Sequence, residues 1–261
     1  MILDTLASVT RERIEKQKKI ISPAEMKSQA LGMTKKNFEF EKALRGEDIR
    51  FICEVKKASP SKGIIAEDFP YIEIAKEYEK AGAAAVSVLT EPEYFKGDDS
   101  YVTDISRNIS LPIIRKDFTV DEYMIYQAAV MGASAVLLIC SLLDTDTIRE
   151  YIGICDNLGL SALVETHDED EIKSALRAGA RLIGVNNRNL KNFKVDINNC
   201  IRLRSLVPND ITFVAESGIK TAEDIENLRQ SGVNAVLIGE TLMRAKDKKA
   251  MLDELRGNNN D

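Results

Sequence analysis

The chain has 261 residues, 44% of them hydrophobic and 30% charged, with 36 Lys and Arg against 42 Asp and Glu for a formal charge of -6. That length suits one (β/α)8 barrel, which takes about 250 residues, and the hydrophobic share is that of an ordinary globular core. Basic residues are scattered among acidic ones with no long basic run, which argues against nucleic acid or an anionic membrane as a partner.

In chain order, residues 1–48 predict helices over 2–19 and 23–31, the second opened by Ser22-Pro23 at the N-cap and first helical positions, and a third over 38–44. Such an extension covers the floor or flank of a barrel, or part of it folds over the mouth. The N-terminus has no signal-peptide apolar region. The longest apolar stretch, 133–143, is broken by two serines and is too short to span a bilayer. A cytoplasmic protein is expected. Cys53, Cys140, Cys155 and Cys200 show no CxxC spacing and read as free thiols of a reducing compartment.

From residue 50 short Val- and Ile-rich runs alternate with segments of helical period. The runs are "RFICEV" (50–55), "AAAVSVL" (83–89), "LPIIRK" (111–116), "SAVLLIC" (134–140), "LSALVE" (160–165), "RLIGVN" (181–186), "ITFVAE" (211–216) and "NAVLIG" (234–239). Four of the intervening segments end in Gly82, Gly132, Gly179 and Gly232, where a C-cap belongs. Eight strand–helix units predict an α/β fold, a closed parallel (β/α)8 TIM barrel over 49–261 carrying the 1–48 extension. With no linker rich in Pro, Gly or Ser, 1–261 is expected to be a single domain.

Side chains at i and i+2 share one face of a strand. Ile52, Glu54 and Lys56 therefore point together, away from Phe51, Cys53 and Val55, and this phase selects Lys56 over Lys57. In a parallel barrel all strand C-termini meet on one face. The ends collected there are Glu54 and Lys56, Glu91, Lys116 and Asp117, Glu165, Asn186 to Arg188, Glu216 and Ser217, and Gly239. Complementary acids and amines on separate strands point to an active site. Gly218 in "AESGI" and Gly239 in "LIGET" offer close backbone approach after strands 7 and 8, where barrel enzymes often hold a phosphate. The one histidine, His167, reads as a helix-capping or surface residue, so proton transfer falls to Lys and Glu. No metal-ligand set is visible.

The stretches "EVKKASPSKG" (54–63), "SVLTEPEYFKG" (87–97), "LPIIRKDF" (111–118), "LVETHDEDE" (163–171), "IGVNNRNL" (183–190), "VAESGI" (214–219) and "LIGETLMRA" (237–245), with "ILDTLASVTRERIE" before them, resemble indole-3-glycerol phosphate synthases. The resemblance covers essentially the whole chain. It implies a carboxy-lyase of tryptophan biosynthesis that cyclises, decarboxylates and dehydrates 1-(2-carboxyphenylamino)-1-deoxyribulose 5-phosphate without metal or organic cofactor. Carried over, Lys116 is the general acid at the C2 carbonyl. Lys56 holds the anionic end of the substrate and is placed to donate in dehydration, and Glu165 is the general base or the partner acid of the later step. Glu54, Asn186, Glu216 and Ser217 orient hydroxyls and tune the lysines. Arg188 lies near the carboxylate or phosphate, and Gly218, Gly239 and the N–H of Glu240 hold the phosphate, with Ser59 also at the substrate. Phe118 is part of the apolar wall or a core residue. Thr166 and Ala215 differ mildly from the family's wording, and Thr166 bears on the Glu165 loop. The partner is a phosphorylated small molecule, and the chain is expected to be a monomer or at most a weak dimer. Two rivals stand beside this: a sugar-phosphate isomerase, which needs Cys or Asp where Glu-Val-Lys stands, and an idle barrel, which would have lost Lys116 or Glu165.

Overall fold

The period-two pattern of the first apolar run becomes β1, Arg50–Val55, and in the computed structural model its neighbours on both sides are parallel strands. The structure describes residues 2–189 and 193–257. Leu190 of the "IGVNNRNL" stretch and both ends of the expected 1–261 domain lie outside the described residues.

Three helices precede the barrel: α1 Ile2–Lys18, α2 Pro23–Gly32 and α3 Glu39–Ala43. Ser22 caps α2 by accepting from the N–H of Glu25 at 3.3 Å, with Pro23 behind it. After β1 the alternation runs α4 Tyr71–Lys80, β2 Ala85–Leu89, α5 Asp99–Ser106, β3 Ile113–Lys116, α6 Tyr123–Val130, β4 Ala135–Ile139, α7 Thr145–Leu158 and β5 Ser161–Thr166. It continues through α8 Glu169–Ala178, β6 Leu182–Asn186, α9 Asn198–Arg204, β7 Thr212–Glu216, α10 Ala222–Gln230, β8 Ala235–Ile238, α11 Glu240–Arg244 and α12 Lys248–Leu255. β1 pairs with β8 (Phe51 opposite Val236) and with β2 (Cys53 opposite Val86), which closes the barrel. The four glycines expected at helix ends all have φ between 77° and 90°, a left-handed backbone that favours glycine.

The observed strands match the expected runs, mostly starting later, and β5 extends one residue past its run to Thr166. Pro112 lacks an N–H, so β3 begins at Ile113, although the Pro112 carbonyl still accepts from Val86 at 3.0 Å. The chain after β1 does not run straight on to α4. Ala58–Ser59 and Gly63–Ile64 pair as a short antiparallel hairpin above the strand.

The core divides as the strand phase requires. Outward residues such as Phe51, Cys53 and Val55 pack against the helices. Ile52, Ile114, Leu137, Leu163 and Val214 fill the inside with Phe40 and Leu44 of the α3 region. The extension thus serves both ends: α3 plugs the floor, where the Glu41 N–H also bonds Ser161 Oγ at 3.2 Å, and α1 reaches the mouth. Among the described residues no helix is long and apolar enough to cross a membrane.

Candidate active site

Lys116 ends β3 and Glu216 ends β7, and their inward phase across the barrel brings Lys116 Nζ to 3.1 Å from Glu216 Oε2; Glu165 of β5 approaches the same ammonium at 3.7 Å. Glu54 of β1 completes the ring and pairs with Lys56 just beyond it. These four inner residues all come from odd-numbered strands, as expected where alternate strands supply one layer of a barrel. All three carboxylates are buried, and Glu216 is 1% exposed.

Buried charge must be answered by its neighbours. Burial acts against the ammonium of Lys116, but the charges on Glu216, Glu165 and Glu54 outweigh it and hold its pKa above the ordinary lysine value. Burial likewise pushes Glu54 up, and Lys56 and Lys116 more than reverse it, leaving that carboxyl below its usual range. Glu216 goes the other way. Burial together with Glu165 and Glu54 exceeds the pull of Lys116 and moves it from 4.5 to about 7. A carboxyl in that range holds and releases a proton near neutrality.

Two glycines make the crowding possible. A methyl group on Gly184 of β6 would run into Glu216 Oε1 and Leu163, and one on Gly239 would run into the Glu54 carboxylate and the Lys56 amine. At Gly239 the backbone therefore passes directly beside the ion pair.

Above this layer opens a cavity of about 810 Å³. Every residue to which the resemblance gives a catalytic or substrate-binding role lines it: Glu54, Lys56, Ser59, Lys116, Phe118, Glu165, Asn186, Arg188, Glu216, Ser217, Gly218, Gly239 and Glu240. Asn186 Oδ1 accepts from the Arg188 N–H at 3.0 Å, and Arg188 reaches Ser61 of the hairpin at 3.5 Å. Ser217 and Gly218 have φ of 69° and 88°. Phe118 is half-buried against Phe95, ring centres 6.1 Å apart; it lines the cavity and also packs against the inner apolar layer.

Two other strand-end carboxylates, Glu91 and Asp117, are engaged by protein donors. Glu91 spends its carboxylate on the N–H groups of Glu93, Tyr94 and Phe95. Asp117 accepts from Arg13 of α1 at 2.6 Å and from Thr90 Oγ1 at 2.5 Å. This fixes α1 beside the mouth, where Ile2, Leu3 and Leu6 form an apolar wall that sequence reasoning missed. The apolar spacing of Leu3 and Leu6 signalled a buried helix face, not which surface it meets. The capping or surface expectation for His167 is corrected. Asp168 caps α8, bonding the N–H groups of Asp170 and Glu171 at 3.0 Å, and the His167 ring is largely buried with Nε2 3.5 Å from Glu165 Oε1. No group of three or more His, Cys, Asp or Glu placed to hold a metal ion occurs among the described residues.

A closed parallel barrel whose mouth gathers lysines and carboxylates around a cavity has the build of a (β/α)8-barrel enzyme. Solved structures agree on the fold: the chain is similar to a 3-hexulose-6-phosphate synthase, TM-score 0.64 at 17% identity over 80% of this chain and 99% of that one. It is likewise similar to a thiamine phosphate pyrophosphorylase from Pyrococcus furiosus, TM-score 0.58 at 17% identity over 80% and 94%. The profile of the family described as Indole-3-glycerol phosphate synthase matches residues 3–255. Relatives of that name are 61% identical in Ruminiclostridium cellulolyticum, over 98% of this chain and 99% of the relative, and 53% identical in Endomicrobium trichonymphae, over 98% and 100%. The chain belongs to the indole-3-glycerol phosphate synthase family, and the isomerase reading falls away.

Proposed function

We propose that Lys116, Glu165 and Lys56 carry the acid–base work by which this chain, a carboxy-lyase of tryptophan biosynthesis, converts 1-(2-carboxyphenylamino)-1-deoxyribulose 5-phosphate to indole-3-glycerol phosphate. The observation that carries the assignment is the Lys116 ammonium set between Glu216 and Glu165 at the base of the cavity. Attack of the carboxylate-bearing ring carbon on the C2 carbonyl interrupts aromaticity until carbon dioxide leaves. The reaction therefore needs a cation at the developing alkoxide and close positioning of both carbons. A lysine held protonated by its neighbours meets the first need, and the alkoxide is basic enough to take its proton.

Dehydration then needs one proton for the departing hydroxyl and a base for one from the methylene carbon. Lys56 lies next to Glu54 for the donation, and Glu165 exchanges protons with Lys116 across the site. Carboxylate leaves as carbon dioxide and hydroxyl as water, so each turnover takes up one proton net. The apolar side of the cavity, with Phe118 and α1, receives the aromatic ring. Ser59 and Arg188 meet the anionic groups, Asn186 and Ser217 the hydroxyls, and the N–H groups of Gly218, Gly239 and Glu240 the phosphate, whose remote binding energy positions the reacting end.

Further, we infer a single domain acting in the cytoplasm as a monomer or weak dimer without nucleic acid; the net charge of -6 supports the last. The test is direct. The chain contains no tryptophan, so indole product fluorescence stands clear of protein emission. Purified protein given the substrate should develop that signal, inhibited by inorganic phosphate; a silent preparation of folded protein overturns the assignment.

A further inference from the structure

His167 is the chain's single histidine, and it stands between two carboxylates. On one side Glu171 of α8 clamps it: Glu171 Oε2 lies 3.0 Å from ring Nδ1 and accepts from the His167 backbone N–H at 2.8 Å, while its Oε1 accepts from Ser141 Oγ at 2.6 Å. On the other side Nε2 is buried, makes no hydrogen bond, and faces Glu165 Oε1 at 3.5 Å. From α9, Asn199 holds the His167 carbonyl through its side-chain amide at 3.1 Å. The ring is thus fixed from three elements, with its one unspent nitrogen aimed at the carboxylate that also meets Lys116.

The tautomer count decides what this arrangement asks for. A neutral ring carries one N–H, and Glu171 claims it at Nδ1, which would leave a bare Nε2 lone pair against the Glu165 oxygen. Only the doubly protonated ring offers a proton to both carboxylates. A contact of 3.5 Å is long for a hydrogen bond, as catalytic contacts often are before substrate binds.

We propose that His167, as an imidazolium clamped by Glu171, is a positioning residue for Glu165, fixing which carboxyl oxygen faces Lys116 and the substrate. The proposal rests on the reading of Glu165 as an acid–base group in the reaction. Charged groups around the ring agree with it. Burial works against the protonated ring, but the hydrogen bond to Glu171 and the charges on Glu165, Glu171 and Glu216 outweigh it and hold its pKa above the ordinary histidine value. Glu171 is held below its usual range, since the bonds from His167 and Ser141 overcome its own burial. Beyond the ring's own partners, Asp168 is next in the chain, the Cys140 thiol after β4 feels the charges of Glu171, Glu165 and Asp168, and Lys116 on β3 meets Glu165.

A single histidine makes the test clean, because one ring gives one NMR titration. In wild-type protein the ring should titrate above an ordinary histidine, and both Glu171→Gln and Glu165→Gln should lower that midpoint; a titration at the ordinary value, untouched by Glu165→Gln, overturns the proposal without any activity measurement. In turnover, His167→Leu should lower kcat about tenfold or more with KM changed little, as for a lost transition-state contact. His167→Gln keeps a neutral donor near Nε2, so it should recover most of kcat and lack the alkaline decline that wild type shows as the ring loses its proton. Should His167→Leu fail to fold, the His167→Gln pH profile and the titrations still decide. Wild type that turns over while both His167 variants keep its kcat and pH profile refutes the positioning role alone; wild type that makes no product refutes the underlying reading.

Discussion

On β3, Ile114 belongs to the apolar layer above α3, and Lys116, one pleat further, lies among Glu165 and Glu216. β5 makes the same step from Leu163 to Glu165, β7 from Val214 to Glu216, and β1 from Ile52 to Glu54. Inward phase is identical at the two levels, so the two ends of the barrel differ only in height along the strand. At the floor each side chain gains from leaving water, and Phe40 and Leu44 complete the seal. At the mouth three carboxylates and two amines are kept from water and compensate one another, an arrangement that apolar residues of similar volume would match or exceed in stability. On the proposed function the upper layer serves chemistry, and the lower holds the strands that present it.

That contrast can be broken most severely at Glu165. Glu165→Gln keeps the shape and removes the exchangeable proton; kcat should fall about 100- to 10,000-fold, the range for a lost acid–base group, with the protein still folded. A smaller loss separates adjacent lysines. Lys56 lines the cavity while Lys57 does not. Lys56→Ala should cost about 100-fold in kcat/KM and Lys57→Ala less than about threefold, read from steady-state rates. Comparable losses would mean that strand phase does not select the functional amine.

The smallest effect is on stability against pH. Glu216 has a folded pKa of about 7 against an ordinary 4.5, so across that window the native state keeps a proton that the unfolded chain has released. Its contribution is fully present below the ordinary value and is lost as pH rises through about 7. The Tm of wild type minus that of Glu216→Gln should therefore fall between pH 4.5 and 7 and level off above. A difference that grows with pH would contradict the electrostatic account of the mouth.

Much of this was legible in the sequence because period two carries direction. β1 spans Arg50–Val55 as its pattern predicts, and the i, i+2 rule separates Glu54 and Lys56 from Cys53 and Val55. What the pattern lacks is the fate of a side chain past the last pleat. Glu91 follows β2 by two residues while Glu165 lies within β5, but a carboxylate bonded to three N–H groups of its own loop looks much the same in sequence as one facing the cavity. His167 was misjudged for a related reason. Asp168 took the cap, and the ring's partners Ser141, Glu171 and Glu165 arrive from three different elements. Nor does amphipathic spacing in residues 2–44 say that α1 goes to the mouth and α3 to the floor; Arg13 meeting Asp117, 104 positions away, settles it.

The central claim is that one pleat step separates catalysis from support, and β3 offers the most direct measurement of it. Wild type, Lys116→Ala and Ile114→Ala would be compared for product formation by indole fluorescence and for thermal unfolding in the same buffer. The account predicts that folded Lys116→Ala makes no detectable product, whereas Ile114→Ala unfolds more easily by about 2–5 kcal/mol and keeps its kcat within about threefold. Turnover by Lys116→Ala near the wild-type rate, or equal losses of rate in both variants, would contradict it.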